Sequence, residues 1–157
     1  MEKGKESVKE LWRKYLVSIG EDKNTSKLEY TSWYFGNTRE VAKKLADLVI
    51  KGEKKATTSL YCLYEIEKED LPKENDISVI TDFDGIAKCI IKTTTVKVVP
   101  FSEVDDEFAY TEGEGDKSLE YWRNVHKEVF NIYLEELDMK FTEDMLVVCE
   151  EFEVIYV

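Results

Sequence analysis

The spacing of apolar residues alternates between helical and extended patterns, which predicts a protein that mixes helices and strands. Apolar positions three and four residues apart are typical of a helix that buries one face. They predict helices over 5–19, over 38–51, and from residue 116 or 118 to about 137. Thr38 is a suitable N-cap for the second helix, and Gly20 and Gly52 are expected to end the first two.

β-Branched and aromatic runs between these helices predict strands. The runs cover 30–35, 77–81, 86–98 and 145–156. Asp82–Gly85 is expected to form a hairpin turn. Residues 54–66 are predicted to begin extended and continue as a short helix, whereas 101–116 are predicted to be a loop. The hairpin among clustered strands favours an antiparallel or mixed sheet, hence an α+β fold.

Length and charge limit the possible functions. The chain has 157 residues, the size of one domain, and a net charge of −12 from 34 acidic and 22 basic residues. Binding to nucleic acid over the whole surface normally needs a basic protein, so the charge argues against this class but not against a local positive cleft. Without a signal-like or membrane-length apolar segment, a cytoplasmic protein with no membrane partner is expected. Three isolated cysteines and one histidine predict reduced thiols and no metal or cofactor.

The charges are unevenly distributed along the chain. Residues 36–55 contain six bases and three acids, whereas residues 134–153 contain eight acids and one lysine. Such a bipolar surface would steer an anionic ligand to one side. The alternative is that the basic window is an ordinary solvated helix face.

The segment Gly52–Ser59 is the first candidate for chemistry. Lys54 and Thr57 are three residues apart and converge if the chain turns there. A threonine hydroxyl beside a lysine amine is a nucleophile with a base, provided that burial removes the lysine charge. The alternative is a solvated lysine pair after a helix end.

The acidic loop Glu112–Asp116 is the second candidate. Its alternating glycines allow tight bends that bring carboxylates together, and mutual repulsion would raise the pKa of one of them. One acid of this loop, with Glu114 as a candidate, would then act as acid or base. The alternative is an acidic turn in which Asp116 caps the next helix.

On that helix, Arg123 and His126 are three residues apart and share one face. They are candidates for contacts with a phosphate or a base. The alternative is that His126 is a satisfied, partly buried histidine among apolar neighbours.

In their order and spacing, these segments resemble the ASCH domain family. The resemblance covers roughly residues 30–156 and rests on Trp33–Gly36, 42–48, Gly52–Leu60, Val98–Val104, Glu112–Asp116, Leu119, Trp122 and His126. It implies a PUA-like domain over 30–157, a small β-barrel with flanking helices, preceded by a helix and connection over 1–29. Members are associated with RNA, and some small members remove an acyl group from N4-acylated cytidine.

The resemblance also implies site residues. In such amidohydrolases the signature lysine and threonine and a later glutamate are catalytic, and here they match Lys54, Thr57 and Glu114. Ser59 stands where the family often has arginine, so Arg39 or Arg123 would have to replace it. The expected substrate-binding residues are Arg39, Lys55, Ser59, Arg123 and His126.

Three functions remain open from the sequence. The first is metal-independent hydrolysis of an acylated nucleoside by Lys54, Thr57 and Glu114. The second is a non-catalytic module that binds short single-stranded RNA, and the third is a ribonuclease that would need His126 as a second acid or base. If Glu114 contacts Lys54 directly, the lysine is expected to be charged at rest and to orient an acyl oxygen rather than act as base.

Overall fold

Five strands form one mixed sheet in the computed structural model, which describes residues 2–157. The strands are β1 Thr31–Trp33, β2 Ala56–Leu60, β3 Ile77–Thr81, β4 Ala87–Pro100 and β5 Leu146–Tyr156. Their order across the sheet is β1-β3-β4-β5-β2, with a parallel β1–β3 pair and antiparallel pairs elsewhere. The sheet curls into a half-barrel, so the predicted α+β class is confirmed. Strand β2 lies at one edge.

Five α-helices surround the sheet within the described part of the chain. They are α1 Glu2–Ser18, α2 Arg39–Ile50, α3 Tyr61–Glu67, α4 Asp106–Glu112 and α5 Leu119–Glu135, with a 3-10 turn at Phe101–Glu103. Thr38 caps α2 as predicted, since its side chain accepts a hydrogen bond from the backbone of Val41. The predicted extended start and helical continuation of 54–66 correspond to β2 and α3.

Two local predictions are wrong. Residues 101–116 are not a loop, because α4 forms within them. Its N-cap Asp105 accepts from the backbone of Phe108, and acids in its first turn suit the positive helix end. Asp116 does not cap α5; Ser118 does, while Asp116 accepts from the backbone of Ser118.

Separate helices cover different parts of the sheet. Leu60, Val147 and Cys149 pack with residues of α4 and α5, and Ile91 and Phe152 pack with residues of α2. Helix α1, which falls in the predicted helix and connection over 1–29, packs onto β3 and β4, and these strands bury its apolar face. Residue 1 lies outside the described residues. No helix among residues 2–157 is long and apolar enough to span a bilayer.

Candidate functional site

A cavity of about 350 Å³ opens beside the edge strand β2, between α2 and α5. This volume is at the lower end of small-molecule pockets. Lys54, Thr57 and Glu114, the three residues expected to be catalytic, all line it. Aromatic side chains form much of the rest of the wall: Trp33, Tyr34, Phe35, Tyr121, Phe130 and Tyr133.

Lys54 is the central cation of this cavity, and its side chain is only 1% exposed. Its ammonium group donates to the Ala56 carbonyl at 2.8 Å and to Glu114 Oε2 at 2.9 Å. A longer contact of 3.3 Å reaches Glu112 Oε2. All three ammonium hydrogens are therefore engaged within the protein. The Phe35 ring lies 5.2 Å from the ammonium nitrogen and adds a cation–π contact.

Glu112 is the buried anion of the site, and the sequence did not single it out. Its Oε1 accepts from Thr58 Oγ1 at 2.7 Å and from Trp122 Nε1 at 2.8 Å. Its Oε2 accepts from Lys54 and, at 3.0 Å, from His126 Nε2. The available signal was the pair Trp122 and His126, four residues apart on one helix face, whose ring N–H groups need an acceptor when buried.

Four ionisable groups shift one another's pKa values. Burial would lower the pKa of Lys54, but the carboxylates of Glu112 and Glu114 outweigh it and raise that pKa. Burial would raise the pKa of Glu112, but the charges of Lys54 and His126 bring it well below its usual range. Burial raises the pKa of Glu114, and neighbouring Glu112 adds to the rise against the opposing charge of Lys54. Lys54 is therefore charged at rest, the state expected if Glu114 contacts it.

His126 is held between two acceptors. Nδ1 lies 2.7 Å from the Trp122 carbonyl and Nε2 lies 3.0 Å from Glu112, and a carbonyl and a carboxylate both require an N–H donor. Burial would lower the His126 pKa, but Glu112 outweighs it and raises the pKa. The histidine is thus a doubly protonated partner of Glu112, as in the satisfied, buried alternative. Both nitrogens are engaged, which argues against the proton transfer that a ribonuclease would need.

The His126 charge gives a direct prediction. Because the chain has one histidine, a single imidazole signal in an NMR titration reports its pKa. We expect a midpoint above the ordinary value of about 6.5. The raised pKa contributes stability that is fully present below pH 6.5 and is lost as pH rises through the folded-state value. A midpoint at or below 6.5 would contradict a doubly protonated histidine bonded to Glu112.

The other residues expected to bind substrate divide into two groups. Ser59 and His126 line the cavity, and Ser59 Oγ lies 2.7 Å from the Tyr64 hydroxyl. Arg39, Lys55 and Arg123 do not line it, and their role in binding substrate stays a prediction. Arg39 forms an exposed ion pair with Asp84 outside the cavity, and the Lys55 side chain points to solvent.

Lys44 is the cation that sequence reasoning missed at the cavity rim. It is exposed and lines the cavity from α2. The basic character of residues 36–55 was the available signal, but the window does not tell which of its bases faces the cavity. Arg39 and Lys44 are five residues apart, and that spacing places them on different sides of a helix.

Three side chains have the donor types of a metal site. Glu112, Glu114 and His126 bring one ligand atom each within 4.8 Å of one another. The Lys54 ammonium already contacts both carboxylates. A divalent cation would have to displace this ammonium and deprotonate His126, so the residues present fit the lysine better than a metal.

The chain belongs to the ASCH domain family, whose model matches residues 31–156. The mixed sheet and its flanking helices agree with the PUA-like fold of that family. An ASCH domain from Lactobacillus crispatus JV V101 is similar, at 37% identity over 97% of this chain and 96% of that chain, with a TM-score of 0.88.

Protein EF3133 from Enterococcus faecalis V583 is similar at 34% identity, over 96% of this chain and 89% of that one, with a TM-score of 0.86. The hypothetical protein PH0355 shares 21% identity over 81% of this chain and all of that chain, with a TM-score of 0.55, and so supports the fold alone. No curated protein matches the sequence significantly.

Proposed function

We propose that this ASCH protein hydrolyses the amide bond of an N4-acylated cytosine nucleoside bound in the cavity beside β2. The observation that carries the proposal is the convergence of Lys54, Thr57 and Glu114 on one cavity with aromatic walls. A nucleobase stacks favourably on such walls. The family signature that these residues match supports the same reaction class.

The charged state of Lys54 decides its role. A lysine with a raised pKa and no free hydrogen is a poor general base. It holds Glu114 in place, and an acyl oxygen can replace its longest contact, the 3.3 Å bond to Glu112. Lys54 then stabilises the negative charge that develops on this oxygen when Thr57 attacks the acyl carbon.

Glu114 has the properties of an acid for the leaving amine. Its side chain is 16% exposed, and Lys54 is the single donor found for it among residues 2–157. Burial and Glu112 raise the Glu114 pKa, which favours a carboxyl group able to give a proton to N4 of cytosine.

The decisive test is turnover of N4-acetylcytidine by the Thr57→Val variant, which keeps the side-chain shape and removes the hydroxyl. We expect kcat to fall by at least about 10³-fold, because no acyl-enzyme can form once the nucleophilic hydroxyl is removed. Thr94→Val, on an exposed position of β4 away from the cavity, is the matched control and should keep wild-type kcat. Wild-type turnover in Thr57→Val, or no turnover by the wild type, would refute the proposal.

A non-catalytic RNA-binding module is the second candidate, favoured by the exposed Lys44 on the aromatic cavity rim. ASCH domains are generally associated with RNA, which fits either candidate. The cavity is small, at about 350 Å³, so few phosphates would be contacted. Binding of short single-stranded RNA would then depend only weakly on salt. Binding that is lost in Lys44→Ala, without hydrolysis of N4-acetylcytidine, would favour this candidate.

A further inference from the structure

The proposed reaction leaves open which group removes the proton of Thr57, and the following inference rests on that reaction. Lys54 is charged and fully bonded, so it cannot accept a proton. Glu112 is a weak base as well, because four donors stabilise its ionised form. Another acceptor is needed on the side of β2 that carries Thr57.

Adjacent threonines on β2 point to opposite faces of the sheet. Thr58 points towards α4, where its hydroxyl is bonded to Glu112. Thr57 points the other way, and its partner in the antiparallel register is Glu150 on β5. Directly opposite residues share a face, with Cβ atoms about 4.5–5.5 Å apart. Thr58 is thus bonded to one buried carboxylate, and the register pairs Thr57 with another. The two carboxylates differ in their surroundings.

Glu150 has far fewer donors than Glu112. The residue is 7% exposed, and Thr93 Oγ1 donates to its Oε2 at 2.6 Å. The structure shows no donor to its Oε1 from residues 2–157, and no salt bridge to Glu150 from any of them. Burial raises the Glu150 pKa, Asp76 adds to the rise, and the Thr93 bond opposes it. Tyr64 on α3 is the other titratable group facing it, and its hydroxyl is bonded to Ser59.

We propose that Glu150 is the general base that activates Thr57. The Oγ–H proton of Thr57 passes to the Glu150 carboxylate as Oγ bonds to the acyl carbon. The C–N4 bond then breaks, and N4 takes a proton from Glu114. Water attacks the resulting threonine ester, passing one proton to Glu114 and releasing the acid, while Glu150 returns its proton to Thr57 Oγ. Atoms and charge balance without any further reactant.

The test compares Glu150→Gln with Glu151→Gln, the next residue of β5, whose side chain lies on the opposite face. We expect Glu150→Gln to lower kcat for N4-acetylcytidine by about 10²–10⁴-fold with KM nearly unchanged, and Glu151→Gln to change neither. The ascending limb of the wild-type pH–kcat profile should disappear in Glu150→Gln. Equal kcat in Glu150→Gln and wild type, or a retained ascending limb, would overturn the assignment.

A second measurement separates this inference from the proposed function. Acetylation of Thr57 by p-nitrophenyl acetate, followed by peptide mass spectrometry, needs no nucleoside. If the wild type fails to hydrolyse N4-acetylcytidine, the proposed function fails. Glu150 as base is then still supported by Thr57 labelling that drops at least tenfold in Glu150→Gln. Unchanged labelling, or no labelling of Thr57 in the wild type, overturns it. Should Glu150→Gln not fold, Glu150→Asp replaces it, with reduced labelling expected and wild-type labelling contradictory.

Discussion

Gly113→Ala is expected to destabilise the protein by more than about 3 kcal/mol and to reduce activity at the site by about 10²-fold. Gly113 has a φ of +74°, a conformation that costs an L-residue about 1–2 kcal/mol. An alanine Cβ would also lie 1.8 Å from the Glu53 carbonyl oxygen and 3.1 Å from Lys54 Cα. Because both neighbours are backbone atoms, the loop between α4 and α5 must move away from Lys54, and small misplacements of this kind are costly for catalysis.

Gly52→Ala is the matched control for this prediction. Gly52 has a φ of +78°, but no atom lies within 4 Å of the position its Cβ would take. It therefore carries the backbone strain without the collision, and a loss of about 1–2 kcal/mol is expected. Urea unfolding of both variants, with turnover of N4-acetylcytidine, measures the difference. Equal free energies of unfolding for the two variants would show that close approach of Gly113 to Lys54 is unimportant.

The fold was predictable from the sequence where a segment is long and strongly periodic. Helices α1, α2 and α5 and strands β3, β4 and β5 all follow from such patterns. Helix α4 did not, since its seven residues contain too few apolar positions to show helical spacing. Its stability comes from the Asp105 cap and from burial of Ala109 against the α5 side of the core, a tertiary contribution that local sequence does not carry.

The catalytic candidates Lys54, Thr57 and Glu114 came from sequence spacing and the family resemblance, and the structure brings them to one cavity. Their roles stay predictions. The sequence did not identify Glu112 or Glu150, because their partners are 10 to 58 residues away. For Glu112 it offered only the indirect signal of Trp122 and His126, whose ring N–H groups need an acceptor. Neighbouring acidic residues cannot be distinguished from the sequence, because only the fold shows which of them contacts buried donors. Arg39 and Lys55 have the charge that an anionic ligand needs, but neither lines the cavity. Arg39 pairs with Asp84, and the Lys55 side chain is exposed to solvent.

Around β2, the number of donors separates three carboxylates that have the same chemistry. Four donors, two of them charged, lower the Glu112 pKa and make it a fixed anion that positions Lys54. Burial raises the pKa values of Glu114 and Glu150, each of which has one donor among residues 2–157. Groups of this second kind are suited to moving protons, whereas Glu112 is suited to holding the others in place.

Glu112→Gln is accordingly expected to lower the free energy of unfolding by about 3–5 kcal/mol, the usual effect of removing one partner from a buried ion pair. An amide has one acceptor oxygen and cannot satisfy Thr58, Trp122, Lys54 and His126 together; its NH₂ group would face two of these donors. Glu107→Gln, an exposed position in the first turn of the same helix, is the matched control and should change stability by less than about 1 kcal/mol.

The pH dependence of this loss identifies its cause. Because the folded-state pKa of Glu112 is lowered, its contribution to stability is fully present above the unfolded value of about 4.3 and is lost as pH falls through the folded value. The difference between wild type and Glu112→Gln in urea unfolding should therefore be largest near neutral pH and shrink below about pH 4. The His126 pKa should also fall in this variant, since the carboxylate that raises it is gone. A difference in stability that stays constant from pH 7 to pH 3 would mean that Glu112 acts by shape rather than by charge.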